Sequence, residues 1–377
     1  MTVHVASAGV TRFGRRPEGL VELGAEAAGQ ALEGIGRKPV DLLVAGSMLS
    51  HGVGGPEPFL PRLASRLGLE SASGIRVEST SGTGAMAFHV AVGALESGRY
   101  ERALVVAAEK MTDRTTPEVT RELAASLHPS EAAAGATMPA LAALVTQRYL
   151  ERHELDVSTI DLPSVHARRA AVDNPNAMFR ALVTPEEVAA SRPVAPPLRL
   201  LHCSAIADGA AAVVLDRTSG LVAVRGLGQG FESMRLVDRP DLASFGATRV
   251  AAKRAYESAH ITRKEIGVAE VHDAFAPFAL LHLEDLGFCG PGEGIEWFRR
   301  DWVRSDGRLP INPSGGLLGR GHPIAATGLA AIVEVFAQLA GTAGPRSIAH
   351  RPKYGLALSV SGLATHNFVT ILGTGAR

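Results

Sequence analysis

Five short apolar runs, at 41–45, 103–107, 211–215, 268–271 and 356–360, are the feature that most limits what this chain can fold into. Each has the length of a strand buried on both faces and is too short for a helix. Between them lie stretches with helical spacing, at 22–32, 81–96, 139–152, 247–259, 277–286 and 327–339, several of which start after Ser, Thr or Pro and stop near Gly. Strand and helix therefore alternate in both parts of the chain, the pattern of an α/β sheet covered by helices. The stretch from about 110 to 197 breaks the alternation. It is poorer in strand signals and richer in Pro and charge, as in DNPNAMFRALVTPEE, and reads as an excursion that shapes or covers a site. A new apolar run begins at Leu221, after DGAAAVVLDRTSG, which places the division at 217–220 and gives halves 1–217 and 218–377.

Composition removes several classes of function. A chain of 377 residues with 46% hydrophobic and 5% aromatic content can bury a large core. Its 38 Lys and Arg balance 38 Asp and Glu, so it has no field to gather nucleic acid or an anionic membrane surface. Cys203 and Cys289 lie far apart and outside any CxxC spacing, which argues against a disulfide framework and against a zinc site; no metal is expected. The start, MTVHVASAGVTRFG, lacks the charged-then-apolar order of an export signal, and no run of about 18 apolar residues occurs. A cytoplasmic protein is expected.

Chemistry concentrates at 312–328, NPSGGLLGRGHPIAATG. Glycines allow backbone to approach a reacting group closely, and His322, set between Gly321 and Pro323, offers that group an acid, base or oxyanion donor. Three further segments stand with it: VESTSGTGAMAFHVAVGALESGRYERALVVAAEKMTD at 77–113, IADGAAAVVL at 206–215 and EVHDAF at 270–275. In order and spacing the four resemble the thiolases over nearly the whole chain, and EVHDAF is similar to the HDxF loop of the sterol-carrier type, where other members carry NEAF.

The resemblance implies a thiolase fold, an α/β arrangement of two similar halves in five layers (αβαβα) with an inserted loop domain at about 110–197, and a homodimer. It implies a coenzyme A thioester as substrate and no bound cofactor. It places Ser81 where thiolases carry the acyl-accepting cysteine. A serine there needs a neighbouring base to take its proton, whereas a thiol at a helix start ionises easily. Two readings of Ser81 stay open, nucleophile and helix N-cap. Ser359, or Ser361 one register on, falls where the family has its second cysteine, the group that exchanges the α-proton in Claisen chemistry; neither hydroxyl titrates near neutral pH. His272 and His322 are implied as the oxyanion pair, His322 also as base toward Ser81. Gly82, Gly84, Gly316, Gly321, Asn312 and Phe275 are implied around the substrate, with Asn312 organising its loop. Cys203 and Cys289 read as packing residues. Arg320 and the pair Arg168 and Arg169 read as solvated charge. His51, His89, His166 and His366 have no motif behind them. The expected activity is acyl transfer from an acyl-CoA. The alternatives are a cysteine-independent retro-aldol lyase and a noncatalytic subunit that pairs with an active thiolase or with a small zinc-ribbon/OB-fold protein.

Overall fold

The computed structural model describes residues 2–36, 38–49 and 58–375, so His51 lies outside the described residues. The strands are β1 (His4–Val10), β2 (Leu42–Gly46), β3 (Ser73–Arg76), β4 (Arg102–Glu109), β5 (Pro193–Ala195), β6 (Leu198–Arg199), β7 (Gly209–Asp216), β8 (Val222–Phe231), β9 (Ile266–Glu270), β10 (Tyr354–Ser361) and β11 (His366–Gly373). Nine of them run in the order β3-β2-β4-β7-β1-β8-β11-β10-β9, while β5 and β6 pair separately. At the middle of this order β1 meets β8 through two residue pairs, His4 with Ala223 and Val5 with Val222. Each side of that seam repeats one scheme. The chain enters on β1 or β8, crosses through helix Leu20–Glu33 or Gly246–Ala259, and reaches β2 or β9. It then returns through helix Thr83–Glu96 or Ile324–Ala340 to β4 or β10. The pairings β2–β4–β7–β1 and β9–β10–β11–β8 are, in the same succession, parallel, antiparallel, antiparallel.

The two returning helices form the central layer. Every residue of Ile324–Ala340 from Ile324 to Leu339 is buried, as expected of a helix that is apolar all round. Its Leu329, Ile332 and Phe336 share one core with Phe88, Val92 and Leu95 of Thr83–Glu96 and with inward residues of both sheets. The helices cross closely at Gly84, where a Cβ would sit 2.8 Å from the Ala325 carbonyl oxygen and the Leu329 nitrogen. Leu20–Glu33 and Phe59–Leu67 cover the outer face of the first sheet, and Gly246–Ala259 and Ala276–Asp285 that of the second. Helix, sheet, helix, sheet, helix make the five layers the resemblance implied. No helix among the described residues is long and apolar enough to cross a membrane. The inserted stretch holds short helices, among them Thr116–Ala124, Met138–Arg152 and Asp161–Ala171, and it packs against the second half.

This layout fixes where chemistry can occur. The amino ends of both central helices and the carboxyl end of β9 come together with the inserted stretch, the position at which α/β sheets gather ligand groups.

Candidate active site

Ser81 sits in a single 3-10 turn, Thr80–Gly82, that leads into helix Thr83–Glu96. Thr83 ties this turn to the helix, since its Oγ1 accepts from the Ser79 amide at 2.9 Å and donates to the Thr80 carbonyl at 2.7 Å. Gly82 is the N-cap, without a side-chain bond, and the Ser81 hydroxyl has no partner among the described residues. The structure thus places the Ser81 hydroxyl free beside the positive end of a buried helix. The preceding Thr80 has φ +43°, a left-handed conformation that a β-branched residue adopts only under constraint. The constraint is visible. The end of β10 grips this turn, with Ser361 Oγ donating to the Ser79 carbonyl at 2.6 Å and the Gly362 amide donating to Thr80 Oγ1 at 3.0 Å.

His322 lies between the short helix Gly316–Arg320 and Ile324–Ala340, and its amide is tied to the Ala205 carbonyl at 2.9 Å. Its Nδ1 is 2.8 Å from Thr327 Oγ1, which already donates to the Pro323 carbonyl at 3.0 Å. The Thr327 proton is therefore committed, His322 Nδ1 must donate, and Nε2 carries the lone pair. That tautomer suits a base. His272 follows the carboxyl end of β9; its ring meets that of His322 edge to face, with centroids 5.5 Å apart. Burial, helped by the Arg320 guanidinium, lowers His322 to about 3. Burial, then His322, His282 and Arg320, push His272 well below the usual histidine range. Both rings are neutral at physiological pH.

The loops that carry the two histidines are braced from behind. Asn312, at φ +50°, accepts from the Val271 amide through Oδ1 at 2.6 Å, and Asp273 accepts from the Leu317 amide at 2.7 Å. Gly316 is at φ +57°, and a Cβ there would fall 2.3 Å from an Asp273 carboxylate oxygen, so no other residue fits. Arg320 is buried, 3.3 Å from Ser314 Oγ and 3.9 Å from Glu270. It is not a solvated charge: its guanidinium sets the field behind both imidazoles.

A cavity of about 220 Å³ collects these groups, with Ser81, His272 and His322 all in its wall. Of the residues implied around the substrate, Phe275 also lines it. Gly82, Gly84, Asn312, Gly316 and Gly321 do not; they are buried in the packing that supports the wall. Ser359 needs correction too. Strand side chains alternate in direction, so along β10 Val360 enters the cavity wall while Ser359 faces the central helices. Ser359 Oγ is 3.4 Å from the Ser81 carbonyl and packs against Gly328, which makes it a support of the turn. Ser361 points the same way. Cys203, expected only to pack, does line the cavity, yet burial pushes its thiol up to about 12, so it stays protonated. His89, His166 and His366 lie outside the wall. Wall residues the sequence did not single out include Thr80, Val119, Leu123, Met138, Phe278, Val360 and Gly362. The Gly after a candidate cysteine position was the one available signal for Val360 and Gly362.

Comparison with known proteins agrees with this geometry. Models of the thiolase N-terminal domain and of the thiolase C-terminal domain-like unit match residues 3–219 and 228–374. An acetyl-CoA acetyltransferase of Methanothermobacter thermautotrophicus is 38% identical over 333 residues, 86% of each chain. The benzoylsuccinyl-CoA thiolase subunit BbsB of Thauera aromatica is 32% identical over 346 residues, 89% of each chain. Among solved structures, the Ltp2-ChsH2(DUF35) aldolase superposes with a TM-score of 0.83 at 23% identity, covering 99% of this chain and 98% of that one, a likeness of fold. With the Thr80–Gly82 turn at the amino end of one central helix, a Gly-His-Pro loop at that of the other and both domain models matched, the chain belongs to the thiolase family.

Proposed function

We propose that the protein transfers an acyl group from a coenzyme A thioester through a serine ester on Ser81. The observation that carries this reading is the free Ser81 hydroxyl in one cavity wall with the lone-pair nitrogen of His322. Ser81 Oγ attacks the thioester carbonyl carbon while its proton passes to His322 Nε2. The carbon–sulfur bond then breaks, and the departing thiolate takes that proton from His322. Donors for the oxyanion are the Ser81 amide, which has no acceptor among the described residues, and His272. The buried Nδ1 of His272 has no partner, and an unpaired acceptor there costs less than an unpaired N–H, so its proton belongs on Nε2. A second nucleophile, an alcohol, amine or thiol, then takes the acyl group. Intact-mass spectrometry after incubation with acyl-CoA thioesters tests the reading: an acyl adduct absent from Ser81→Ala supports it, and no adduct under any condition sinks it.

No lining residue on the β10 side of the cavity titrates, since Val360 stands there. The α-carbon chemistry of a Claisen condensation thus has no second acid or base beyond the histidines and the Cys203 thiol, which burial keeps protonated. The same fact favours a second reading, cleavage of a carbon–carbon bond with the two histidines moving protons and no acyl-enzyme. A homodimer, and a small zinc-ribbon/OB-fold partner, belong to the proposal as well; native mass spectrometry of the purified protein reads both.

One kinetic result follows from the neutral imidazoles. A histidine lowered to about 3 is already in its basic form across the working range. Acyl-enzyme formation is therefore expected to keep kcat/KM level from pH 8 down to about 5, with no inflection near 6.5. An acid limb centred near 6.5 would show that the base lies elsewhere.

A further inference from the structure

The cavity wall is chemically one-sided. Apart from the reacting groups, its sides come mainly from Val119 and Leu123 of helix Thr116–Ala124, Met138 at the start of Met138–Arg152, Phe275 and Phe278, and Val360, with Thr116, Thr120, Ser126 and Ser204 as uncharged polar residues among them. No Asp, Glu, Lys or Arg lines it among the described residues, and its two histidines are neutral. Phe275 and Phe278 stand edge to face at 5.2 Å, presenting ring surface. An acetyl group fills little of such a space. An apolar cavity of about 150 Å³ holds benzene, so one of about 220 Å³ holds roughly nine carbons' worth of ligand, and seating the thioester itself leaves room for about six acyl carbons.

We propose that the acyl group this site takes is apolar and about six carbons long, aliphatic or aryl, and that acyl groups ending in a carboxylate are excluded. The proposal rests on the thioester reading above for the identity of the head group. The exclusion follows from the wall, because a carboxylate brought there finds no cation and loses its water. The preference follows from burial, since each methylene moved from water to an apolar wall is worth about a two- to fourfold gain in affinity.

Calorimetric titration of Ser81→Ala protein with acetyl-, hexanoyl-, octanoyl-, phenylacetyl- and adipoyl-CoA tests this without any turnover. Hexanoyl- and phenylacetyl-CoA are expected to bind at least tenfold more tightly than acetyl-CoA, and hexanoyl-CoA at least tenfold more tightly than adipoyl-CoA, which has the same six carbons and a terminal carboxylate. Leu123→Trp, which fills the cavity, should remove the preference for hexanoyl over acetyl. Val119→Ala, which widens it, should move the optimum toward octanoyl. Equal affinities across the panel, binding of none, or a preference untouched in both variants at unchanged melting temperature would overturn the proposal. Its failure is distinct from that of the acyl-enzyme: a chain-length preference without an adduct on wild-type Ser81 leaves the subsite standing, and an adduct without a preference leaves the acyl-enzyme standing.

Discussion

Replacing Ser81 by Ala is expected to abolish acyl transfer, by about a thousandfold or more, and to leave the melting temperature within about 2 °C of the parent. The two halves of this expectation come from the same observation. The Ser81 hydroxyl bonds to nothing among the described residues, so its loss removes no native interaction, and the helix that follows has Gly82 as its N-cap, with no side-chain cap bond to lose. Had Ser81 been the cap, the substitution would cost about 1 kcal/mol in stability and spare the chemistry. Comparison with His322→Ala separates the mechanisms. An acyl-enzyme route loses activity in both variants, whereas a lyase that uses the histidines alone keeps it in Ser81→Ala and loses it in His322→Ala. Measured kcat/KM for the two variants, with melting curves beside them, decides the matter; full activity in Ser81→Ala would end the serine ester.

Much of this was readable in the chain because the information is local. A buried strand such as 211–215 or 356–360 announces itself by composition, and β7 and β10 lie there. The central helices begin within a few residues of the expected positions. Ser81, His272 and His322 were found through short motifs, and the structure brings all three to one cavity. What escaped depended on direction or on contacts distant in sequence. A shift of one residue along β10 exchanges Val360 for Ser359 in the cavity, and composition does not reveal strand parity where both faces are buried. The supporting roles of Gly82 and Gly84 arise from packing against segments far away, as does the burial of Arg320. The walls contributed by Val119, Leu123 and Met138 come from the inserted stretch, where Val119 and Leu123 share one helix face four residues apart but nothing local says which neighbour that face meets. The left-handed Thr80 had no signal at all, since nothing in the residue type demands that conformation.

Acid should destabilise the protein from about pH 6.5 downward, most steeply below about 4.5. Two fully buried histidines, His89 and His282, are each lowered to about 3 by burial. Their unfolded forms bind a proton below about 6.5, so each takes stability away as pH falls from 6.5 to 3. Buried Glu270 and Asp285 act with the opposite sign, because burial raises each to about 7 and the folded state holds their protons first; they add stability as pH falls from 7 to about 4. Over the two units from 6.5 to 4.5 each pair amounts to about 5 kcal/mol and the two offset each other, while His322, also lowered to about 3, and His272, lowered well below the usual range, leave a net loss. Below that point the carboxyls of the unfolded chain are protonated and their contribution is complete, while the histidines continue to about 3 and remove about 4 kcal/mol more. Asp216, lowered to about 2 with hydrogen bonds from Arg102, Thr218 and Ser219, adds to the loss over the same range. Urea denaturation followed at half-unit pH steps reads the curve directly. His282→Gln should lift the acid limb by about 4.5 kcal/mol at pH 3 relative to its own value at pH 7, because the variant has no proton to exclude. An acid limb identical in parent and variant would mean that the His282 ring is not held neutral in the fold.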